Sequence, residues 1–232
     1  MPTRETLLLF DIDGTLLDTG GAGIEALERA FAREFPAQAA RMPKLDLAGA
    51  TDSGLVRNIF NHAEIDHTPQ NESRFLDAYI VFLREHLPTS GGQLLPGIPE
   101  LLDATSSHPD ATVGLLTGNI ERGARVKIEH YGIGHHFGFG SYGDDHHDRN
   151  ELGPIAIDRA AATTGKTFSS DQVFILGDTV KDIRCARAAG ARAIAVATGS
   201  VSRGELESHS PDFIFDDFAD TAAVLQALLP DG

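Results

Sequence analysis

Short apolar runs alternate with longer stretches of helical periodicity along the chain. The runs are bounded by Gly, Asp, Thr or Pro, and this pattern predicts strands. We expect strands at residues 6–10, 112–116, 137–140, 173–176, 191–196 and 213–215. We expect helices between the later strands at residues 120–131, 154–164 and 180–189. Because strands alternate with helices, the sequence predicts an α/β fold with a doubly wound parallel sheet.

Residues 19–95 differ from the rest, because helical periodicity runs throughout them. One helix is predicted near residues 73–87, and three or more helices could form a small bundle over the edge of the sheet. The length of 232 residues suits one α/β domain with a smaller insertion. We therefore predict an α/β core formed by residues 1–18 and 96–232, with residues 19–95 inserted as a helical domain.

Charge and composition narrow the possible partners. With 34 acidic and 19 basic residues the formal net charge is -15, which argues against nucleic acid or an anionic membrane as a partner. No apolar run approaches the roughly 18 to 20 residues that a membrane helix requires. The apolar run at residues 7–10 is also too short for a signal peptide. We expect a cytoplasmic protein that is a monomer or a weak homodimer.

Two carboxylates directly follow the first predicted strand, in the string Asp11-Ile12-Asp13-Gly14-Thr15. Open α/β sheets bind ligands at the carboxyl ends of their strands, where both carboxylates would face the same side. Two like charges in such proximity repel each other unless a cation lies beside them, and oxygen ligands favour a hard ion such as Mg²⁺. The string therefore predicts a metal site at this edge of the sheet.

These residues resemble the first motif of the haloacid dehalogenase superfamily of hydrolases. The strand that ends in Thr117-Gly118-Asn119 is similar to the second motif, and the string from Asp178 to Asp182 resembles the fourth. The resemblance covers nearly the whole chain, and the helical insert has the position of the mobile cap of the family. It implies a Rossmann-like core with an inserted α-helical cap.

The resemblance also implies roles for individual side chains. Asp11 would be the nucleophile that forms an aspartyl phosphate, and Asp13 would be the general acid and base. Thr117, Gly118 and Asn119 would bind the phosphoryl oxygens.

The implied cofactor is Mg²⁺. Asp11, the backbone carbonyl of Asp13, and Asp178 would be its ligands. Asp182 would bind a metal water or orient Asp178.

A cation is also expected beside the nucleophile. The family normally has a Lys, often followed by Pro, ahead of the helix that precedes the fourth motif, and here Arg149 lies at that place. We predict Arg149 as the partner of Asp11 and the phosphoryl group, because Arg is always charged and well shaped for oxyanions. Lys127 is the rival candidate, although a Lys on a core-facing helix ordinarily extends its amine to solvent.

The segment Leu47 to Ser53 resembles the substrate loop of the cap. Relatives often have Arg where this chain has Ala50. We predict Thr51 and Asp52 as substrate contacts, and we give slightly more weight to the alternative that they cap a helix.

The pattern favours a phosphatase for a small phosphorylated metabolite, similar to phosphoglycolate phosphatases. Asp13 points to ester hydrolysis or phosphomutation, because dehalogenases of the superfamily have Tyr at that place and phosphonatases have Ala. A phosphosugar mutase of the β-phosphoglucomutase type would use the same residues, and a phosphoacceptor signalling module is a more remote alternative. A minor alternative is a zinc site, because the spacing of its candidate ligands matches no closed tetrahedral pattern. These ligands are His135, His136, His146 and His147, together with Asp144, Asp145 and Asp148.

Overall fold

The computed structural model describes residues 5–229, which contain a six-stranded parallel sheet. The strands of this part of the chain are β1 (Thr6–Phe10), β2 (Leu17–Asp18), β3 (Gln93–Leu94), β4 (Ala111–Leu116), β5 (Gly140–Ser141), β6 (Val173–Gly177), β7 (Arg192–Val196) and β8 (Phe213–Phe215). The sheet has the order β5-β4-β1-β6-β7-β8, while β2 and β3 pair antiparallel with each other. The predicted parallel sheet is therefore confirmed.

The α-helices of the described residues include those that cover the two faces of the sheet and those of the insert. They are α1 (Ala22–Glu34), α2 (Asp52–Ala63), α3 (Pro69–His86), α4 (Ile98–Ser107), α5 (Glu121–His130), α6 (Leu152–Thr164), α7 (Val180–Ala188), α8 (Arg203–Ser208) and α9 (Thr221–Leu228).

Strand β1 shows how the two faces are filled. Leu8 and Phe10 point into the cluster that contains α4, α5 and α9, whereas Leu7 and Leu9 point into the cluster of α6, α7 and α8. Successive side chains of a strand alternate between faces, so a strand covered on both sides reads as a continuous apolar run. The doubly wound α/β class predicted from the sequence is confirmed.

Helices α1, α2 and α3 lie between β2 and β3 and form a cluster of their own, in which Phe31, Phe60 and Phe75 are buried. Ile120 and Val126 from the α5 region belong to the same cluster, so the insert packs against the core. The division of the chain at residues 18/19 and 95/96 stays a prediction. None of the helices within residues 5–229 combines the length and apolar character needed to cross a bilayer.

Two elements differ from the sequence-based expectations. Helical structure does not extend throughout residues 19–95, because residues 42–50 are non-helical. Pro43 lacks a backbone N–H, and Gly49 adopts a left-handed conformation with a φ of 57°. The strand predicted at residues 137–140 is observed only at β5, since Gly138 and Gly140 weaken pairing at this edge.

Candidate active site

The carboxyl ends of three neighbouring strands bring the predicted site residues together. Phe10 at the end of β1 pairs with Leu115 of β4 and with Leu176 of β6. Asp11 follows β1, and Asp178 follows β6. Because these strands are parallel and adjacent, residues from early and late in the chain meet at one edge of the sheet.

Asp11, Asp178 and Asp182 form a buried group of carboxylates, which we call the acidic triad. One oxygen from each lies within 4.8 Å of the others. Burial raises the pKa of Asp11 to about 6, although Arg149 opposes the shift. Burial, together with Asp182 and Asp11, raises the pKa of Asp178 to about 8. Three carboxylates with only oxygen donors and a single guanidinium beside them fit a hard divalent cation.

Arg149 is the cation that contacts this triad. Its Nη2 lies 3.0 Å from Asp11 Oδ2. Its Nε donates to Asp182 Oδ1 at 3.0 Å, and Nη2 contacts the same oxygen. Burial lowers the pKa of Arg149, but Asp11 and Asp182 outweigh that effect and raise it, so the guanidinium stays charged.

Both oxygens of Asp182 are already engaged. Oδ1 accepts from Arg149, and Oδ2 accepts from the backbone N–H of Thr179 at 3.0 Å and from its hydroxyl at 2.6 Å. Thr179 and Asp182 form the capping box that begins α7. This geometry suits orientation of Arg149 and the helix end better than direct contact with an ion.

Lys127 is the second cation of the site and is only 4% exposed. Its amine donates to Asp13 Oδ1 and Oδ2 at 2.8 and 2.6 Å, and to Asn119 Oδ1 at 2.6 Å. The interpretation that this Lys extends its amine to solvent is therefore wrong. Three oxygen acceptors compensate for the burial of the charged amine.

The segment Thr117 to Asn119 joins this network. Asn119 Nδ2 donates to Asp13 Oδ2 at 2.7 Å and to Thr117 Oγ1 at 2.9 Å. A side chain at Gly118 would collide with the carbonyl of Ala50, so this position requires glycine. The segment lies at the site as expected, and its contact with phosphate stays a prediction.

Thr51 and Asp52 connect the insert to the core. Thr51 Oγ1 accepts from the backbone N–H of Gly54 at 3.1 Å, so Thr51 caps α2. Asp52 Oδ2 accepts from the backbone N–H of Ile120 at 2.8 Å. Burial raises the pKa of Asp52 to about 6, although Lys127 opposes the shift. The capping alternative holds for Thr51, and substrate contact by either residue stays a prediction.

A cavity of about 470 Å³ lies above these groups. The core contributes charged and polar side chains to its wall, among them Asp11, Asp13, Asn119, Lys127, Arg149 and Asp178. The insert contributes mainly apolar side chains, among them Ile24, Leu27, Leu47, Ala50, Leu55 and Tyr79. The cavity therefore has one reactive wall and one largely apolar wall.

The Haloacid dehalogenase-like hydrolase family model matches residues 8–196. This chain belongs to that family. The predicted superfamily and the prediction of a hydrolase are therefore confirmed. Asp11 and Asp178, two strand-end carboxylates that suggested this family, belong to the acidic triad.

Several relatives of this hydrolase match it over almost their entire length. A phosphoglycolate phosphatase of Agrobacterium fabrum is 28% identical and covers 97% of this chain and 95% of its own. A probable phosphatase IndB of Dickeya dadantii is also 28% identical and covers 96% of this chain and 94% of its own.

Solved structures show the same fold for this hydrolase. A predicted phosphoglycolate phosphatase from Haemophilus somnus has a TM-score of 0.70 at 21% identity and covers 97% of this chain and 100% of its own. CbbY from Rhodobacter sphaeroides, in complex with phosphate, has a TM-score of 0.70 at 19% identity. It covers 94% of this chain and 96% of its own.

Sequence reasoning missed one polar group in the cavity of this hydrolase. Tyr79 lies on the helix predicted near residues 73–87 and belongs to the apolar cluster of the insert, yet it also lines the cavity. Burial, followed by the charges of Asp52 and Asp13, raises its pKa well above the ordinary value, so the hydroxyl stays protonated. The sequence contained one signal for this role, because Tyr79 has a hydroxyl on an otherwise apolar face of its helix.

Proposed function

We propose that this hydrolase is a metal-dependent phosphatase that acts on a small phosphate monoester in the cytoplasm. The observation that carries the proposal is that Asp11 and Asp13 line one cavity, each beside its own cation. Asp11 lies against Arg149, and Asp13 lies against Lys127. A nucleophile and a proton donor therefore flank the same space, as two-step ester hydrolysis requires.

In the first step an oxygen of Asp11 attacks phosphorus, and the ester P–O bond breaks. Asp13 gives its proton to the leaving oxygen, so the product is an alcohol and Asp11 carries the phosphoryl group. In the second step Asp13 removes a proton from water, whose oxygen attacks phosphorus and releases inorganic phosphate. Asp11 returns to a free carboxylate, and Asp13 is again protonated.

Mg²⁺ is the proposed ion, with Asp11, Asp178 and the backbone carbonyl of Asp13 as its ligands. The raised pKa values of Asp11 and Asp178 support this choice, because they reflect the burial of these carboxylates and, to a smaller extent, their like-charged neighbours. When bound, the ion would neutralise charge on the phosphoryl oxygens. We propose that Asp182 acts mainly by holding Arg149, since both of its oxygens have other partners.

We propose Arg149 as the cation that faces the transferring phosphoryl, because it contacts the nucleophile. We propose that Lys127 and Asn119 orient Asp13. Thr117 and the backbone N–H of Gly118 would bind phosphoryl oxygens.

We propose residues 19–95 as a cap that covers the site. The cavity supports this assignment, because its apolar wall comes from the insert and its reactive wall from the core.

The test is phosphate release by the purified protein with Mg²⁺ and a panel of phosphorylated metabolites, compared with the Asp11→Asn variant. We expect multiple turnovers for the natural protein and none for the variant, whose side chain has nearly the same shape. Turnover that needs a bisphosphorylated sugar and releases no phosphate would instead indicate a mutase. A single phosphorylation of Asp11 without turnover would indicate a signalling module.

A further inference from the structure

Within residues 5–229, no positive side chain that lines the cavity is left over for a second anionic group on the substrate. Among the described residues that line it, Lys127 and Arg149 are the positively charged ones. Lys127 Nζ lies 2.6 Å from Asp13 Oδ2, and Arg149 Nη2 lies 3.0 Å from Asp11 Oδ2. Both cations thus already neutralise carboxylates of the site itself.

The insert adds no cation to its side of the cavity within the described chain. Its charged lining residue is Asp52, which is acidic, and the neighbouring Asp18 of the core is acidic as well. The stem of Lys181, which belongs to the core, lies close to Gly49, but Lys181 is not among the residues that line the cavity. A second carboxylate on the substrate would therefore face other carboxylates.

Apart from the hydroxyls of Thr19 and Tyr79, the remaining side chains of this wall are apolar. Leu27, Leu55 and Tyr79 are buried there, whereas Ile24 is 42% exposed although it is a large hydrophobic residue. An exposed apolar side chain at a cavity is a suitable contact for an apolar ligand group.

We infer that the organic part of the preferred substrate carries no second anionic group and is largely apolar. This inference rests on the proposed phosphatase function and specifies its substrate class. Phosphoglycolate, which gives several relatives their names, has a carboxylate two bonds from the ester oxygen and is expected to be a poor substrate. An ionised group enclosed beside like charges and without a partner costs free energy that an uncharged group avoids.

The sharpest test compares phosphoglycolate with phosphoglycolamide, because a carboxamide has nearly the shape of a carboxylate without its charge. The measurement is kcat/KM from phosphate release at constant ionic strength, with benzyl phosphate as the apolar substrate. We expect phosphoglycolamide to exceed phosphoglycolate by about tenfold or more, which corresponds to ~1.4 kcal/mol, and benzyl phosphate to match or exceed the amide. Equal or better use of phosphoglycolate would overturn the inference while leaving the phosphatase proposal intact. If no phosphate ester were hydrolysed, including 4-nitrophenyl phosphate, the phosphatase proposal itself would fail.

A matched pair of variants tests whether the apolar wall sets this preference. Ile24 lines the cavity and is 42% exposed, whereas Val81 is 45% exposed on the same insert but does not line the cavity. Ile24→Arg should raise the ratio of phosphoglycolate to phosphoglycolamide turnover by about tenfold, because it supplies the missing cation. Val81→Arg should leave the ratio unchanged. An unchanged ratio in Ile24→Arg, or an equal rise in both variants, would contradict the assignment of this wall to the organic part of the substrate.

Discussion

Lys127 and Asp13 are 114 residues apart in the chain, yet the Lys127 amine lies 2.8 and 2.6 Å from the two Asp13 carboxylate oxygens. The Lys127 side chain is 5% exposed and that of Asp13 is 43% exposed. The pair therefore fixes a carboxylate at the open side of the site by means of a buried cation. Arg149 contacts Asp11 in a similar way, with Nη2 3.0 Å from Asp11 Oδ2. The two aspartates of the first motif thus have separate cations.

This separation predicts that Lys127→Met impairs proton transfer more than phosphate binding. We expect kcat for an alkyl phosphate to fall by about 100-fold with little change in KM, because a mispositioned Asp13 no longer protonates the leaving oxygen well. The loss should be much smaller in the first step with 4-nitrophenyl phosphate, measured as the initial burst of 4-nitrophenolate, because this leaving group needs no proton. The second step, in which Asp13 acts as the base, should be slowed for both substrates. Equal losses in the first step for both substrates together with a raised KM would show that Lys127 binds the phosphoryl group instead.

Arg149 should behave differently. Arg149→Met should reduce kcat for alkyl and 4-nitrophenyl phosphates alike, because the cation beside the nucleophile serves any leaving group. Removing this cation also leaves Asp11 and Asp182 without their shared partner, and breaking a buried pair in this way costs about 3 to 5 kcal/mol of stability. Denaturant unfolding measures that loss.

Arg149→Lys is the control for Arg149→Met, because it keeps the charge but lacks the fork that bridges two carboxylates. We expect it to recover part of kcat and part of the stability. If the Lys127→Met variant lost more activity than Arg149→Met toward 4-nitrophenyl phosphate, the assignment of the phosphoryl-facing cation would have to be reversed.

The acidic triad predicts how metal and pH together change stability. Without metal, the pKa of Asp178 lies near 8, above its ordinary value of 3.8, mainly because of burial. The folded state therefore keeps this proton to a higher pH than the unfolded state does. The stabilisation that the protonated Asp178 provides is lost as the pH rises from about 4 through 8. Since a divalent cation relieves the excess negative charge, Mg²⁺ should raise the Tm more at pH 8 than at pH 5. At about 100-fold excess over Kd the rise should be about 5 to 10 °C.

Asp178→Asn provides the matching variant for this measurement. It should abolish most of the Mg²⁺-dependent rise in Tm, and it should stabilise the metal-free protein relative to the natural one as the pH increases. Asp66 is an exposed aspartate, and the same substitution there, Asp66→Asn, is the control for the loss of one negative charge. A full Mg²⁺ effect in Asp178→Asn would rule out this carboxylate as a ligand.

The sequence was sufficient to locate Asp11, Thr117 and Asp178 in one site, because each follows an apolar strand and parallel strands end at the same edge of a sheet. It was not sufficient for Lys127. Whether a Lys on a helix is buried depends on what lies opposite its amine, and here the acceptors come from Asp13 and Asn119 in different parts of the chain. Helical periodicity describes one element at a time, so it contains no information on such contacts.

The same reasoning explains the outcome at the insert. Thr51 could be predicted as a cap because its hydroxyl bonds the N–H of Gly54, only three residues further along. The contact of Asp52 with Ile120 spans 68 residues and depends on how the insert packs against the core. The sequence therefore predicts the local helix cap at Thr51, but it does not predict how the insert packs against the core.

The contact between Asp52 and Ile120 leads to a final prediction about pH. Burial raises the pKa of Asp52 to about 6 from its ordinary value of 3.8. Between these values the folded state keeps a proton that the unfolded state releases, so this residue stabilises the fold most at low pH and loses that contribution as the pH rises through 6. Asp52→Asn keeps an oxygen acceptor for the Ile120 N–H but does not titrate. Its stability relative to the natural protein should therefore improve between pH 4 and pH 7, by at most about 3 kcal/mol. Parallel unfolding curves of the two proteins at several pH values measure the difference, and a difference that is constant with pH would contradict the raised pKa.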